Sequence, residues 1–112
     1  MAKGEALGEF EYLVLLAIVR LREDAYGMRV RREIADRTGR DTSIGAVYAT
    51  LERLESKGLI TGTVSAPIPE RGGRAKRSFE LTRAGLAAVN RTRGDFASML
   101  DGLVFPPQGA LR

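Results

Sequence analysis

The segment Arg71-Gly72-Gly73-Arg74-Ala75-Lys76-Arg77 sets four positive side chains around a glycine pair. Glycines permit a tight tip and a close approach of backbone to a partner. Arg or Lys at such a tip can clamp phosphates or enter a minor groove. The charge is concentrated there. Residues 71–93 hold seven basic side chains and one acid, Glu80, whereas residues 1–70 and 94–112 are each at net −1 within an overall +4. One short region therefore carries the whole excess, which points to a polyanion, nucleic acid first. The competing reading is a solvated arginine-rich surface that only aids solubility.

A second group consists of small residues: Ser43, Gly45, Ala46, Ala49 and Thr50, which fall on the solvent side of a helical pattern. Small side chains let a helix lie against bases and phosphates. The Ser and Thr hydroxyls can bond to either, and an Ala or Thr methyl can touch a thymine methyl. Free N–H groups at the start of the helix favour phosphate. Tyr48 suits a ring in the core, with or without a hydroxyl reaching a phosphate. Arg53 and Lys57 lie further along, better placed for the nucleic-acid backbone. Arg29, Arg31 and Arg32 open the preceding helix, with Arg29 and Arg32 as candidates for phosphate contact. Their alternative is pairing with Glu33 and Asp36 on the same helix, worth about a few tenths of a kcal/mol per pair.

Other chemistry is excluded by composition. The chain has no cysteine and no histidine, so disulfides, Cys/His zinc sites and thiolate or imidazole catalysis are ruled out. With no phosphate-binding loop and no carboxylate pair, an enzyme is not expected, nor a metal or cofactor. No apolar run approaches the roughly 20 residues that span a bilayer. Met1-Ala2-Lys3-Gly4-Glu5 lacks the layout of a signal peptide, so the expectation is a cytoplasmic protein without membrane association.

These residues need elements to position them. At 112 residues the chain makes one domain. A first helix spans 7–22, with Leu7, Phe10, Val14, Ala17, Ile18 and Leu21 at helical spacing. Leu13, Leu15, Leu16 and Val19 make it apolar nearly all round, which implies a second contact surface, another subunit. After the polar break Arg22–Ala25, a second helix covers about 26–38, with Tyr26, Val30 and Ile34 stacked and Gly39 as its stop. The third runs from Ser43, its N-cap, to Lys57, with Gly58 beyond. Its buried stripe is Ile44, Val47, Tyr48, Leu51 and Leu54. Strands over Leu59–Val64 and Arg77–Leu81 flank a Pro- and Gly-rich loop. Thr82 caps a last helix reaching about 103, weakened by Gly85 and Gly94. In it Leu86, Val89, Phe96, Leu100 and Leu103 form a heptad-like seam, with Arg93 at the missed position.

Three helices, a hairpin and a helix make a fold that is mainly α with a small β-hairpin. That order is the layout of a winged helix-turn-helix domain plus a C-terminal dimerisation helix. Residues 1–81 form the DNA-binding domain, 82–105 the dimerisation helix of the same structural unit, and 106–112 a loose tail. In such a fold the third helix enters the major groove by its N-terminal end. Phe10, Leu13 and Leu16 of the first helix, with Leu86, Val89, Phe96, Leu100 and Leu103 of the last, are the expected dimer interface. The sequence leaves two other binding partners to compare, protein and RNA. A winged helix that binds protein would leave the basic loop without a role. RNA is disfavoured because an A-form major groove is too narrow for a helix.

The chain resembles the PadR family of bacterial transcriptional regulators over about residues 7–93. The resemblance is carried by Ala25-Tyr26-Gly27, by Ser43-Ile44-Gly45-Ala46-Val47-Tyr48, by Leu51–Ile60 and by Gly72–Gly85, in order and at these spacings. It implies a homodimeric repressor that binds a double-stranded DNA operator and whose last helix packs on the partner's N-terminal region. With one C-terminal helix, the chain looks like the short subgroup. Some members bind flat aromatic ligands with tryptophan. This chain has no Trp, so no ligand site is carried over and a small-molecule effector is left open.

Overall fold

The computed structural model describes residues 6–64 and 76–110. Helix α1 spans Glu9–Leu21 and is followed by a 3-10 turn, Arg22–Asp24. Helix α2 spans Gly27–Thr38, α3 Ile44–Ser56, strand β1 Ile60–Val64, β2 Arg77–Leu81 and α4 Arg83–Leu100. The strands pair antiparallel, with Ile60 opposite Leu81 and Gly62 opposite Phe79. No helix among the described residues is long and apolar enough to cross a membrane.

Local chemistry sets the boundaries. The Ser43 hydroxyl accepts the Ala46 N–H and the Thr82 hydroxyl accepts that of Gly85, each satisfying one of the free donors at a helix start. Gly39 and Gly58 both have φ of +76°, a conformation glycine takes without penalty, and they end α2 and α3.

The core is Val14, Leu15 and Ile18 of α1, Val30 and Ile34 of α2, Val47, Leu51 and Leu54 of α3, Ile60 and Phe79 of the hairpin, and Val89 of α4. Three expectations change here. Tyr26 is no part of the α2 stripe: it is extended, caps the helix and bridges Ser78. The neighbouring Ala25 carbonyl accepts the Phe79 N–H at 2.9 Å, so this short stretch acts as a fragment of third strand. Val89 is 5% exposed and lies in the chain's own core, so it leaves the interface set. It packs inward because the N-terminal half of α4 rests on the body. Leu103 lies beyond α4, which ends at Leu100 ahead of Gly102 with φ of +72°.

Gly85 is what brings α4 so close. A Cβ there would sit 2.0 Å from the Leu59 carbonyl oxygen, the same oxygen that accepts the Thr82 N–H at 3.0 Å. A residue read as a weak point of the helix is thus required by the packing.

From Arg93 to the end of α4 every residue is exposed, although the Phe96 ring still lies beside Tyr12 of α1. Phe96 is 61% exposed, Met99 78% and Leu100 51%. The radius of gyration is 16.8 Å, against about 13 Å for a compact chain near this length.

Candidate nucleic-acid interface

Helix α2, the turn 39–43 and α3 form the helix-turn-helix. The turn is pinned by Arg31, whose Nε donates to the Thr42 carbonyl at 2.6 Å and whose Nη2 reaches Asp41 Oδ1 at 3.3 Å. Thr38 adds a brace: its hydroxyl donates to the Ile34 carbonyl and accepts the Arg40 N–H. Arg31 is therefore a structural clamp.

Val47, Leu51 and Leu54 turn α3 towards the core. Ser43, Gly45, Ala46 and Ala49 are all exposed at its N-terminal end. Nothing lies within ordinary contact distance of a Cβ on Gly45 except the Ser43 hydroxyl at 3.9 Å. The face is small, open and next to free helix N–H groups, as groove entry requires.

Thr50 does not belong to that face. It is 2% exposed, and its hydroxyl donates to the Ala46 carbonyl one turn back at 2.9 Å. The backbone bond satisfies the hydroxyl, so a polar residue sits inside at little cost. Tyr48 is not in the buried stripe expected for α3. Its ring lies so close over Gly27 that a Cβ there would meet it at 2.6 Å, yet the residue is 47% exposed.

Among the basic residues, Arg29 and Arg32 have no ion-pair partner among the described residues. Glu33 is instead taken by Arg37 at 2.8 Å and Arg20 at 3.0 Å. The hydrogen bond from Arg37 is the largest influence; burial opposes it, and with the hydrogen bond from Arg20 it holds the Glu33 carboxyl below its ordinary value. Lys76 lies over the Tyr26 ring at 4.2 Å. Arg77 pairs with Glu55 of α3, stacks near the Phe79 ring and covers Gly62. The loop end of the hairpin is thereby tied to α3. Arg71, Gly72, Gly73 and Arg74 lie outside the described residues.

One group escaped the sequence reading. Glu11 of α1 is 6% exposed. Its Oε2 accepts from Arg53 Nε at 3.1 Å and Lys57 Nζ at 3.0 Å, and its Oε1 accepts the Gly8 N–H at 2.9 Å. Burial works to raise this carboxyl. The Gly8 N–H, then Lys57 and Arg53, overcome it and hold the group below its ordinary value. The signal was a charge placed four residues from Leu7 and Leu15, on the apolar stripe itself.

Known proteins share this fold. The chain is similar to a Streptococcus transcriptional regulator at 27% identity and a TM-score of 0.66, covering 80% of this chain and 83% of that one. A PadR family transcriptional regulator from Eggerthella lenta DSM 2243 matches at 27% identity and a TM-score of 0.65, over 84% and 81% of the two chains. F93 from STIV, a winged-helix DNA-binding protein, shares the fold at 18% identity and a TM-score of 0.69, over 89% of this chain and 100% of its own. No curated protein matches the chain. Residues 15–91 match the model of the transcriptional regulator PadR-like family. With that match over most of its length, on a winged helix whose third helix is clear for a groove, the chain belongs to the PadR-like family of DNA-binding transcriptional regulators and is not an enzyme.

Proposed function

We propose that the chain is a cytoplasmic, homodimeric repressor that reads a near-palindromic operator with the N-terminal half of α3. The observation that carries this is the face formed by Ser43, Gly45, Ala46 and Ala49, which the chain's own packing leaves uncovered. Arg29 and Arg32 contact phosphates beside it, as does Arg53 further along α3. Lys76 and Arg77, with Arg71 and Arg74, follow the backbone from the wing. Repression is the role that the family resemblance implies.

The dimer is supported by the apolar arm. Phe96, Leu100 and Leu86 are each more than half exposed, and Phe10, Leu13 and Leu16 on α1 are only partly covered. Tyr12 lies 6.3 Å from Phe96 between ring centroids, so these surfaces adjoin. Contiguous apolar surface of this kind is normally covered by a partner. Residues 1–81 serve as the DNA-binding unit, and the helix within 82–105 joins two of them, with Leu103 completing the seam.

The test combines sedimentation equilibrium with DNA titration. Twice the chain mass at low micromolar concentration is expected, and a monomer there refutes the dimer. Binding should weaken steeply as salt rises, because phosphate contacts release counterions. Binding that is indifferent to salt, or absent, would favour a protein partner instead.

A further inference from the structure

Among the described residues Glu11 is the one buried side chain that carries a formal charge. As a stabilising device it is a poor choice, since apolar replacements of buried ion pairs are often as stable or more so. What a carboxylate does that a leucine cannot is orient its partners. Here Arg53 is held at two points. Nε donates to Glu11 at 3.1 Å, and Nη2 meets the Thr50 hydroxyl at 3.3 Å. That hydroxyl spends its proton on the Ala46 carbonyl, so its lone pairs are turned to the guanidinium. The other terminal nitrogen, Nη1, has no partner among the described residues, and the Arg53 side chain is 53% exposed.

Arg53 follows Ala46 by seven residues and Ala49 by four, which places all three on one face of α3. With its side chain about half exposed, Arg53 still presents a cationic edge to phosphate. A free arginine would have to lose rotamer freedom on binding, and an arginine already held in place loses less.

We propose that Glu11 is a positioning residue for DNA binding: from α1 it holds Arg53, with Thr50 as second anchor, so that the free edge of the guanidinium meets a phosphate beside the groove entered by α3. The inference rests on the reading of α3 as the DNA-contacting helix. It gives Thr50 a part in the interface through Arg53, without base contact. It also links the helix expected at the dimer interface to the reading helix.

The experiment is a double-mutant cycle on the full chain, read by fluorescence anisotropy with a labelled random-sequence duplex at low salt. Glu11→Gln keeps an acceptor for the Gly8 N–H but removes the charge. It should weaken binding by about fivefold to tenfold, on the order of one charge-assisted hydrogen bond. In an Arg53→Ala background the same change should alter affinity less than about twofold, since partners acting as one unit are not additive. An equal loss in both backgrounds would mean a general structural effect and overturn the proposal. Tighter binding by Glu11→Gln, or wild-type affinity for Arg53→Ala, would overturn it too. Should Glu11→Gln fail to fold, Thr50→Val removes the second anchor, and about a threefold loss confined to the Arg53 background is expected. Ala49→Glu on the same probe separates the two levels. If it abolishes binding while Glu11→Gln does nothing, the DNA reading stands and this inference falls. If the wild-type chain binds no duplex, both fall.

Discussion

Gly85 and Gly94 lie on one helix and should respond to alanine with opposite signs. In a helix interior, alanine is favoured over glycine by about 1 kcal/mol. At Gly94 nothing lies within 4 Å of an added Cβ, so most of that gain should appear. At Gly85 the Cβ would sit 2.0 Å from the Leu59 carbonyl oxygen. A backbone atom must give way by an ångström or more, and overpacking of a tight site costs about 1–3 kcal/mol or more. The displaced carbonyl also holds the Thr82 N–H, whose loss adds about 1 kcal/mol. Offsetting these with the propensity gain leaves Gly85→Ala less stable by about 1–3 kcal/mol. Urea unfolding followed by circular dichroism, at one fixed protomer concentration because a dimer's stability depends on it, should show a lower midpoint with an unchanged slope. In a thermal melt each kcal/mol should move Tm by about 4 °C or more for a chain of this size. Gly85→Ala at or above wild-type stability would refute the close approach of α4 to the end of α3.

Three further outcomes are expected. Glu11 is held below its ordinary value of 4.5, so its contribution is present above that value and is lost as pH falls through the depressed one. The stability gap between wild type and Glu11→Gln in urea should therefore be open at neutral pH and close below about pH 4, and a gap independent of pH would contradict the buried ion pair. Leu100→Asp should shift sedimentation towards the monomer, and an intact dimer would place the interface elsewhere. Ala49→Glu should abolish DNA binding by setting a carboxylate against phosphates while the thermal melt stays nearly unchanged. Wild-type affinity there would remove α3 from the interface.

Much of the fold was legible because short-range chemistry writes it. Ser43 and Thr82 as caps, Gly39 and Gly58 as stops, and the alternation around Phe79 each depend on a few neighbouring residues. What was misread depends on distant ones. Thr50 looks like surface by residue type, but its hydroxyl is satisfied within its own helix and its burial is decided by packing. Tyr26 fits a helical stripe until Ser78 draws it into the sheet. Glu11 finds its partners 42 and 46 residues away, beyond any local pattern. Val89 and Leu86 read alike in a heptad, yet Val89 shares the buried side of α4 with Gly85 and Ala88 while Leu86 is half exposed. The small face of α3 was legible apart from Thr50, since helical spacing alone separates it from Val47, Leu51 and Leu54.

The most direct measurement is selection of bound duplexes from a random DNA pool by the wild-type protein. Inverted repeats with half-site centres about 34 Å apart, or a multiple of one helical turn, are expected from two α3 helices in a symmetric dimer. Asymmetric single sites, or no enrichment over the starting pool, would contradict a dimeric reader of a palindromic operator.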